Sequence, residues 1–197
     1  MALQPLALIG YAGFLLATFG WRTLHAKATR GEWSWRRPVS RTDAIGEVVC
    51  VAGCVLSLGA PVLAIARAVR PPGIDLVAMR GLLSILCLGF GTGIALRAQR
   101  HLADDWRAGV EASASLVTTG PFARVRNPFY LGCFFASAAV LVAVPTIVAL
   151  GGFALHVAAA EVIVRRVEEP MLSEAHGDEY ARYKARTGRF LPPLTSR

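Results

Sequence analysis

Charge is scarce in this chain, and long stretches of it have none. Only 17% of the 197 residues are charged, 54% are hydrophobic, and just 13 are acidic. The uncharged stretches match the roughly 17 to 25 apolar residues that a membrane-crossing helix needs. This pattern excludes an ordinary soluble domain, and the length suits one membrane-embedded domain spanning residues 1–197.

Cysteine is also rare, and its pattern predicts neither disulfides nor a metal site. The four cysteines lie in apolar runs, with no C-x-x-C pair and no histidine at zinc spacing (Cys50, Cys54, Cys87 and Cys133). Buried cysteines of this kind behave as small hydrophobic residues. A basic patch with interleaved aromatic residues is lacking as well, so the net charge of +8 does not indicate nucleic acid. Basic rims beside apolar spans instead suit membrane lipids with anionic headgroups.

The apolar runs predict an all-α polytopic membrane protein with about five transmembrane helices. No basic segment precedes the first run, which favours a retained span over a cleaved signal. The third run can be extended through residues 74–80, whose membership stays open, and Arg80 there is expected to reach the headgroups. The last two helices form a carboxyl-terminal hairpin that Val144-Pro145-Thr146 divides. The runs are residues 5–21, 44–66, 81–96 and the two halves of 128–164.

Small residues four apart predict close helix packing in two of these spans. Gly89 and Gly93 have this spacing in the third span, and Gly53 and Ser57 have it in the second. Inside the last span, His156 is expected to be a hydrogen-bonded core residue rather than a catalyst.

The distribution of basic residues predicts the orientation, because cytoplasmic loops carry the excess of Lys and Arg. Residues 22–41 contain six, residues 97–126 contain five and residues 165–197 contain seven, against three in residues 67–80. We therefore expect an integral protein with its amino terminus outside and its carboxyl terminus in the cytoplasm. The short loops suggest a bacterial inner membrane.

Two polar segments flank the hairpin, at residues 104–132 and 165–193. In the first, Pro128 begins a helix whose free N–H groups suit an anion, although an ordinary capped loop remains an alternative. In the second, Glu161, Arg165 and Glu169 have the spacing of one helix face, which fits either surface ion pairs or a site. Acidic residues at the end of a helix oppose its dipole, and Pro170 should disturb the helix there, so a cationic partner is expected.

Motifs in these segments resemble the integral membrane methyltransferases that include the isoprenylcysteine carboxyl methyltransferases and the phospholipid methyltransferases. The resemblance covers about the carboxyl-terminal half, residues 97–197, which would be the catalytic half, while residues 1–96 hold the more variable spans. The matching residues are Trp106-Arg107-x-Gly109, Leu116-Val117-Thr118-x-Gly120-Pro121-Phe122, Arg126-Asn127-Pro128-x-Tyr130-x-Gly132, Glu168-Glu169 and Gly177-Asp178-Glu179-Tyr180-x-x-Tyr183.

The resemblance implies methyl transfer from S-adenosylmethionine, bound in a cytoplasmic pocket between the loop and the tail, to a lipophilic acceptor from the bilayer. That acceptor would be an isoprenylcysteine-like carboxylate or a phospholipid amine. Arg165, facing the acceptor, and Glu169 would be catalytic. Many relatives have His where this chain has Asn127, so this chain offers an amide rather than an imidazole at that position. The implied cofactor contacts are Ser115, Leu116, Val117, Phe122, Asn127, Pro128, Tyr130, Glu168, Glu169 and Tyr180.

Two other functions remain open at this point. Sterol reductases resemble this family in their carboxyl-terminal region and bind NADPH there, although this chain lacks their many extra spans. A non-catalytic accessory protein of the same architecture is the other alternative, and Asn127 is the residue that supports it. The sequence does not indicate the oligomeric state.

Overall fold

The computed structural model describes residues 3–20, 23–24, 27–28, 31, 38–71, 76–102 and 116–193, and all their regular elements are helical. α1 continues into a π turn, Leu16–Gly20, and a second π turn, Val164–Glu168, joins α5 to α6. A 3₁₀ turn, Gly120–Ala123, precedes α4. The α-helices are α1 Leu3–Leu15, α2 Arg41–Ile65, α3 Val77–Leu102, α4 Pro128–Ala143, α5 Ile147–Ile163 and α6 Glu169–Arg186.

These helices confirm the predicted all-α membrane architecture. Among the described residues, four helices are long and apolar enough to cross a membrane: α1 with its π turn, α2, α3, and the helix that begins with α5. α4 is apolar but has only 16 residues, which at 1.5 Å per residue give about 24 Å, less than the roughly 30 Å hydrocarbon core. The predicted hairpin is present, and Thr146 caps α5 by accepting a hydrogen bond from Ala149 N.

Glycine contacts show where the helices approach most closely. α3 packs chiefly on α4, and a Cβ atom at Gly91 would lie 2.6 Å from the carbonyl oxygen of Gly132. The prediction for Gly89 and Gly93 is wrong, since a Cβ atom at either would meet nothing within 4 Å. Both face away from α4, because a helix presents to its partner only the residues on one side.

The prediction for Gly53 and Ser57 is confirmed at the contact between α2 and α5. A Cβ atom at Gly53 would lie 3.0 Å from Nδ1 of His156, and one at Gly152 would lie 2.6 Å from Oγ of Ser57. His156 is buried and hydrogen-bonded, as expected. The two pairs, α2 with α5 and α3 with α4, form a bundle in which α1 contacts α2, α3 and α4.

Arg80 lies within α3, which begins at Val77, while residues 72–75 are outside the described part of the chain. Its guanidinium donates to two carbonyl oxygens at the end of α4, those of Val142 (3.1 Å) and Ala143 (2.7 Å). Arg80 thus binds the end of α4, and the expectation that it reaches the headgroups stays a prediction. The last carbonyl groups of a helix have no hydrogen-bond partner within it. A cation at this end therefore binds them and interacts favourably with the negative end of the helix dipole.

The helix after α5 does not end at the acidic pair. Pro170 has no N–H and would clash with a carbonyl in a regular α-helix. A π turn precedes it, in which Glu169 N donates to the carbonyl of Val164, five residues earlier. The wider turn accommodates the proline and the helix continues, so the expectation that the acidic pair opposes a terminal dipole is wrong: Glu169 begins α6.

Candidate functional site

The site lies at the end of the bundle where α4 begins and α5 ends. There the segment before α4 pairs with the segment after α6 through a β-bridge between Val125 and Gly188. Arg126 N donates to the carbonyl of Gly188 (2.8 Å), and Asn127 N donates to that of Arg189 (3.1 Å). This short pairing fixes two polar stretches, more than 60 residues apart in sequence, side by side.

An ionic cluster centred on Glu169 joins these stretches. Arg189 donates to both carboxylate oxygens in a bidentate pair, with Nε and Nη2 each 2.8 Å away. Arg126 Nη2 donates to the same carboxylate at 3.1 Å. The Arg126 and Glu169 side chains are only 9% and 10% exposed. This buried carboxylate and its two guanidinium partners link the two stretches. Removing the carboxylate or the guanidinium groups would leave a buried charge unpaired, which is strongly destabilising.

The ionic cluster lies beyond the apolar span that ends at Ile163. The pKa values of its groups follow from its geometry. Burial is the largest influence on Glu169 and alone would raise its pKa, but Arg189 and Arg126 together outweigh it. The pKa of Glu169 therefore lies below its usual 4.5. The hydrogen bonds to Glu169 raise the pKa of Arg189 above its usual value. Glu169 and Arg189 are therefore both charged at neutral pH.

Arg126 anchors the end of α6 as well. One nitrogen, Nη1, donates to the carbonyls of Lys184 (3.2 Å) and Thr187. Its Nε is buried and has no hydrogen-bond partner among the described residues. A buried donor without a partner is costly, so this atom marks a position where an anionic group would be stabilised.

Beside the ionic cluster, Tyr130 and Glu168 connect the first turn of α4 to the π turn. The Tyr130 hydroxyl donates to Glu168 Oε1 at 2.8 Å. Phe190 meets the rings of Tyr130 and Phe134 edge to face, with centroids 6.4 and 5.2 Å away. Aromatic rings therefore adjoin carboxylates and guanidinium groups at this end of the bundle.

Arg165 is the exposed member of the group. It donates from Nε to Glu161, as the sequence spacing predicted, and its side chain is 56% exposed. Arg189 Nη1 also lies 3.9 Å from Glu161, so Glu161 and Glu169 share a cationic partner. The prediction that Glu161, Arg165 and Glu169 share one helix face is only partly confirmed. Glu169 is buried, whereas Arg165 is exposed.

Two tyrosines of α6 form the far side of the site. After Gly177, whose positive φ of 47° kinks the helix, Tyr180 and Tyr183 lie on one buried face. The Tyr183 hydroxyl donates to the carbonyl of Phe122 at 2.7 Å. Burial, followed by the charge of Glu169, raises the pKa of Tyr180 to about 12. Both rings are neutral packing surfaces at neutral pH.

The other predicted contact residues differ in position. Ser115 lies outside the described residues. Leu116 and Val117 are half-buried, and Val117 packs on the hydrophobic cluster that contains Phe122. Phe122 and Pro128 are buried themselves, so they support the site from the core. Asn127 donates from Nδ2 to the carbonyl of Arg189 at 3.1 Å, a structural bond between the two stretches.

Two residues of the site, Arg189 and Phe190, were not predicted from the sequence. Arg126 was part of a quoted motif but had no assigned role. A signal for Arg189 existed, since the buried acid Glu169 needs a cation. The sequence could not select that cation from the seven basic residues of the tail.

Comparison with known proteins identifies the family. The family model described as phospholipid methyltransferase matches residues 79–179, a range that contains Arg126, Tyr130, Arg165, Glu168 and Glu169. No curated protein matches the chain. The matched range covers more than half of the 197 residues and agrees with the resemblance seen in the motifs. The chain is therefore an integral membrane protein that belongs to the phospholipid methyltransferase family.

Proposed function

We propose that this protein transfers a methyl group from S-adenosylmethionine to a lipophilic acceptor at the end of the bundle where Glu169 lies. The observation that supports this most is the junction of the two polar stretches, through Arg126 with Glu169 and Tyr130 with Glu168. All four residues fall within the family match.

The charges of the site suit the amino-acid part of the donor. Three guanidinium groups and three carboxylates occur together, so the set is close to neutral and offers both signs. The donor has one carboxylate, one ammonium and a sulfonium. The buried Nε of Arg126 would bind the carboxylate, and Glu168 with Glu169 would attract the two cations.

The aromatic residues suit the rest of the donor. Tyr130, Phe134 and Phe190 offer ring faces and edges to an adenine or to the sulfonium, which aromatic rings attract as they do other cations. Methyl transfer from a sulfonium is an in-line displacement, in which orientation and exclusion of water supply much of the rate. The residues of this site would therefore act mainly by binding and orienting.

Arg165 is proposed to bind the acceptor. It is the most exposed charged group of the site and lies just beyond the apolar part of α5, where it could reach a lipid headgroup. A guanidinium can hold a carboxylate or a phosphate in a bidentate pair. Arg165 would bind the phosphate if the acceptor is a phospholipid amine, and the reacting carboxylate if it is isoprenylcysteine-like.

Donor binding can be measured calorimetrically on the purified full chain in detergent. We expect one S-adenosylmethionine per chain, bound at least about tenfold more weakly by Glu168→Gln and Glu169→Gln, since a charged hydrogen bond contributes about 1.5–3 kcal/mol. Glu174→Gln, an exposed carboxylate on α6, is the matched control. Absence of binding by the wild type, or tighter binding of NADPH, would refute the proposal.

Product analysis identifies the acceptor. Native membranes containing the protein receive donor with a labelled methyl group, and the labelled lipids are separated by class. Arg165→Gln should raise KM for the acceptor and leave the donor affinity unchanged, while Arg166→Gln, an exposed neighbour, should change neither. A protein that binds donor but labels no lipid would support the non-catalytic alternative instead.

A further inference from the structure

A second cluster of reactive side chains lies inside the bundle, away from the site just described. Cys50 and Cys54 are on successive turns of α2, and His156 faces them from α5. Their sulfur and nitrogen atoms all lie within 4.8 Å of one another. The proposed methyl transfer does not use any of these groups.

We propose that Cys50, Cys54 and His156 bind a thiophilic divalent cation of the zinc class, which links α2 to α5. This proposal differs from the sequence analysis above, in which the cysteine pattern predicted no metal site. The inference does not depend on the methyltransferase proposal, because it concerns different residues at a different depth in the bundle.

The ring of His156 is already oriented as a ligand. Its Nδ1 lies 2.8 Å from the carbonyl oxygen of Gly152, which can only accept a hydrogen bond. Nδ1 therefore carries the proton, and the lone pair is on Nε2, 3.4 Å from Cys54 Sγ. A backbone carbonyl bound to the other ring nitrogen is the usual support of a metal-ligating histidine.

The separations suit three of the four positions of a tetrahedral site after small shifts. Zinc–sulfur bonds of about 2.3 Å and zinc–nitrogen bonds of about 2.0 Å give a sulfur–nitrogen separation of roughly 3.6 Å. The Cys54–His156 distance of 3.4 Å is already close to this value. The half-exposed cysteines must approach their partners by at most about one ångström, which rotation of their side chains allows.

A neighbouring hydroxyl completes the surroundings. Tyr11, which is 1% exposed, has its hydroxyl 3.2 Å from His156 Nε2 and 3.8 Å from Cys54 Sγ. Once a metal occupies the Nε2 lone pair, this hydroxyl can donate to the Cys54 thiolate. Gly53 permits the arrangement, because a Cβ atom there would lie 3.0 Å from the His156 ring.

Charge balance favours a divalent ion. Cys50 lies nine residues into α2, about 14 Å along the helix, so the cluster is well inside an apolar layer where net charge is costly. A divalent cation with two thiolates and a neutral imidazole is neutral overall. A monovalent cation would leave one negative charge. Binding must therefore release one proton from each thiol into the solvent.

The test is a titration of the full chain in detergent with Co²⁺, a spectroscopic substitute for Zn²⁺, after treatment with a chelator. We expect one equivalent to produce thiolate-to-cobalt charge-transfer absorption and intense visible bands. Zn²⁺ should abolish these bands, and a pH indicator should report two released protons. If the wild type shows no charge-transfer absorption and retains no Zn²⁺, the proposal is wrong.

Conservative variants separate ligation from packing. Cys50→Ser and Cys54→Ser keep the side-chain size and should weaken metal binding more than about a hundredfold, since loss of even an outer-shell partner costs about 10–100-fold. Cys87→Ser, at a half-buried cysteine of α3, should bind like the wild type. Circular dichroism and gel filtration verify that each variant folds. Wild-type affinity in both cluster variants would overturn the assignment.

Discussion

Glu169 connects the two halves of the candidate site, because Arg126 and Arg189 both donate to its carboxylate. The Glu169→Gln substitution removes the negative charge and leaves two guanidinium groups close together in a partly buried position. Breaking a buried pair in this way costs about 3–5 kcal/mol. We expect a corresponding loss in the free energy of unfolding, measured by denaturant titration in mixed micelles.

Glu174→Gln is the control for that measurement, because it makes the same chemical change on an exposed position of α6. It should change the unfolding free energy by less than about 0.5 kcal/mol, as surface substitutions usually do. Equal stability of the two variants would show that the cluster around Glu169 does not stabilise the fold.

The same carboxylate predicts how stability depends on pH. Its folded pKa lies below the usual 4.5, so the ionised form favours the folded state. This contribution is complete above pH 4.5 and is lost as the pH falls through the lower folded pKa. Thermal unfolding should therefore shift to lower temperature below pH 4.5 in the wild type. Glu169→Gln should show a smaller shift there; an identical profile in both proteins would contradict the assignment.

At the residue scale, the sequence identified the acidic member of the cluster but not its partners. Glu169 follows from a motif, and the resemblance carries it over by position. Arg189 lies 20 residues further on, beyond the kink at Gly177, and the bridge between Val125 and Gly188 brings it back. Contacts of this kind depend on tertiary structure, which residue spacing in the sequence does not reveal.

At the scale of the helix, close approach depends on which side of α3 a glycine occupies. Gly91 faces Gly132, whereas Gly89 and Gly93 have open space around them. Gly91→Ala puts a methyl group 2.6 Å from a backbone oxygen, a contact that only backbone movement relieves. We expect a loss of about 1–3 kcal/mol, typical of overpacking, in the same unfolding measurement.

Gly89→Ala and Gly93→Ala are matched controls on the same helix. Both replace a glycine within α3, and neither new methyl group meets an atom within 4 Å. Alanine also has the higher helix propensity, so both variants should be as stable as the wild type or slightly more stable. A loss at Gly89 or Gly93 equal to that at Gly91 would contradict the observed α3–α4 contact.

Helix boundaries show which elements are predictable from local sequence. The hairpin turn was predicted correctly from Val144-Pro145-Thr146. The proline and the capping threonine both act locally, since Thr146 accepts its hydrogen bond from Ala149 N, three residues later. At Pro170 the sequence predicted a disturbed helix, and the structure shows that disturbance as a π turn rather than as the end of the helix.

At the scale of the whole molecule, the described parts of the two segments that flank the hairpin, residues 116–127 and 164–193, lie together at one end of the bundle. The site lies where α4 begins and α5 ends, and the hairpin turn lies at the opposite end, next to Arg80. The overall pattern could be predicted because apolar length and basic flanks are properties of the linear sequence. The juxtaposition of His156 with Cys54, 102 residues away, could not be predicted in this way.

The orientation of the bundle is testable with one cysteine at each end. Ile147, 79% exposed beside the hairpin turn, and Glu174, exposed on α6, are suitable positions. In intact cells, Ile147→Cys should react with a membrane-impermeant maleimide. Glu174→Cys should react only after lysis, because the excess of basic residues predicts that its end of the bundle lies in the cytoplasm. Labelling of Glu174→Cys in intact cells would show that the orientation is the opposite of the predicted one. The donor would then have to bind outside the cell, where S-adenosylmethionine is not made.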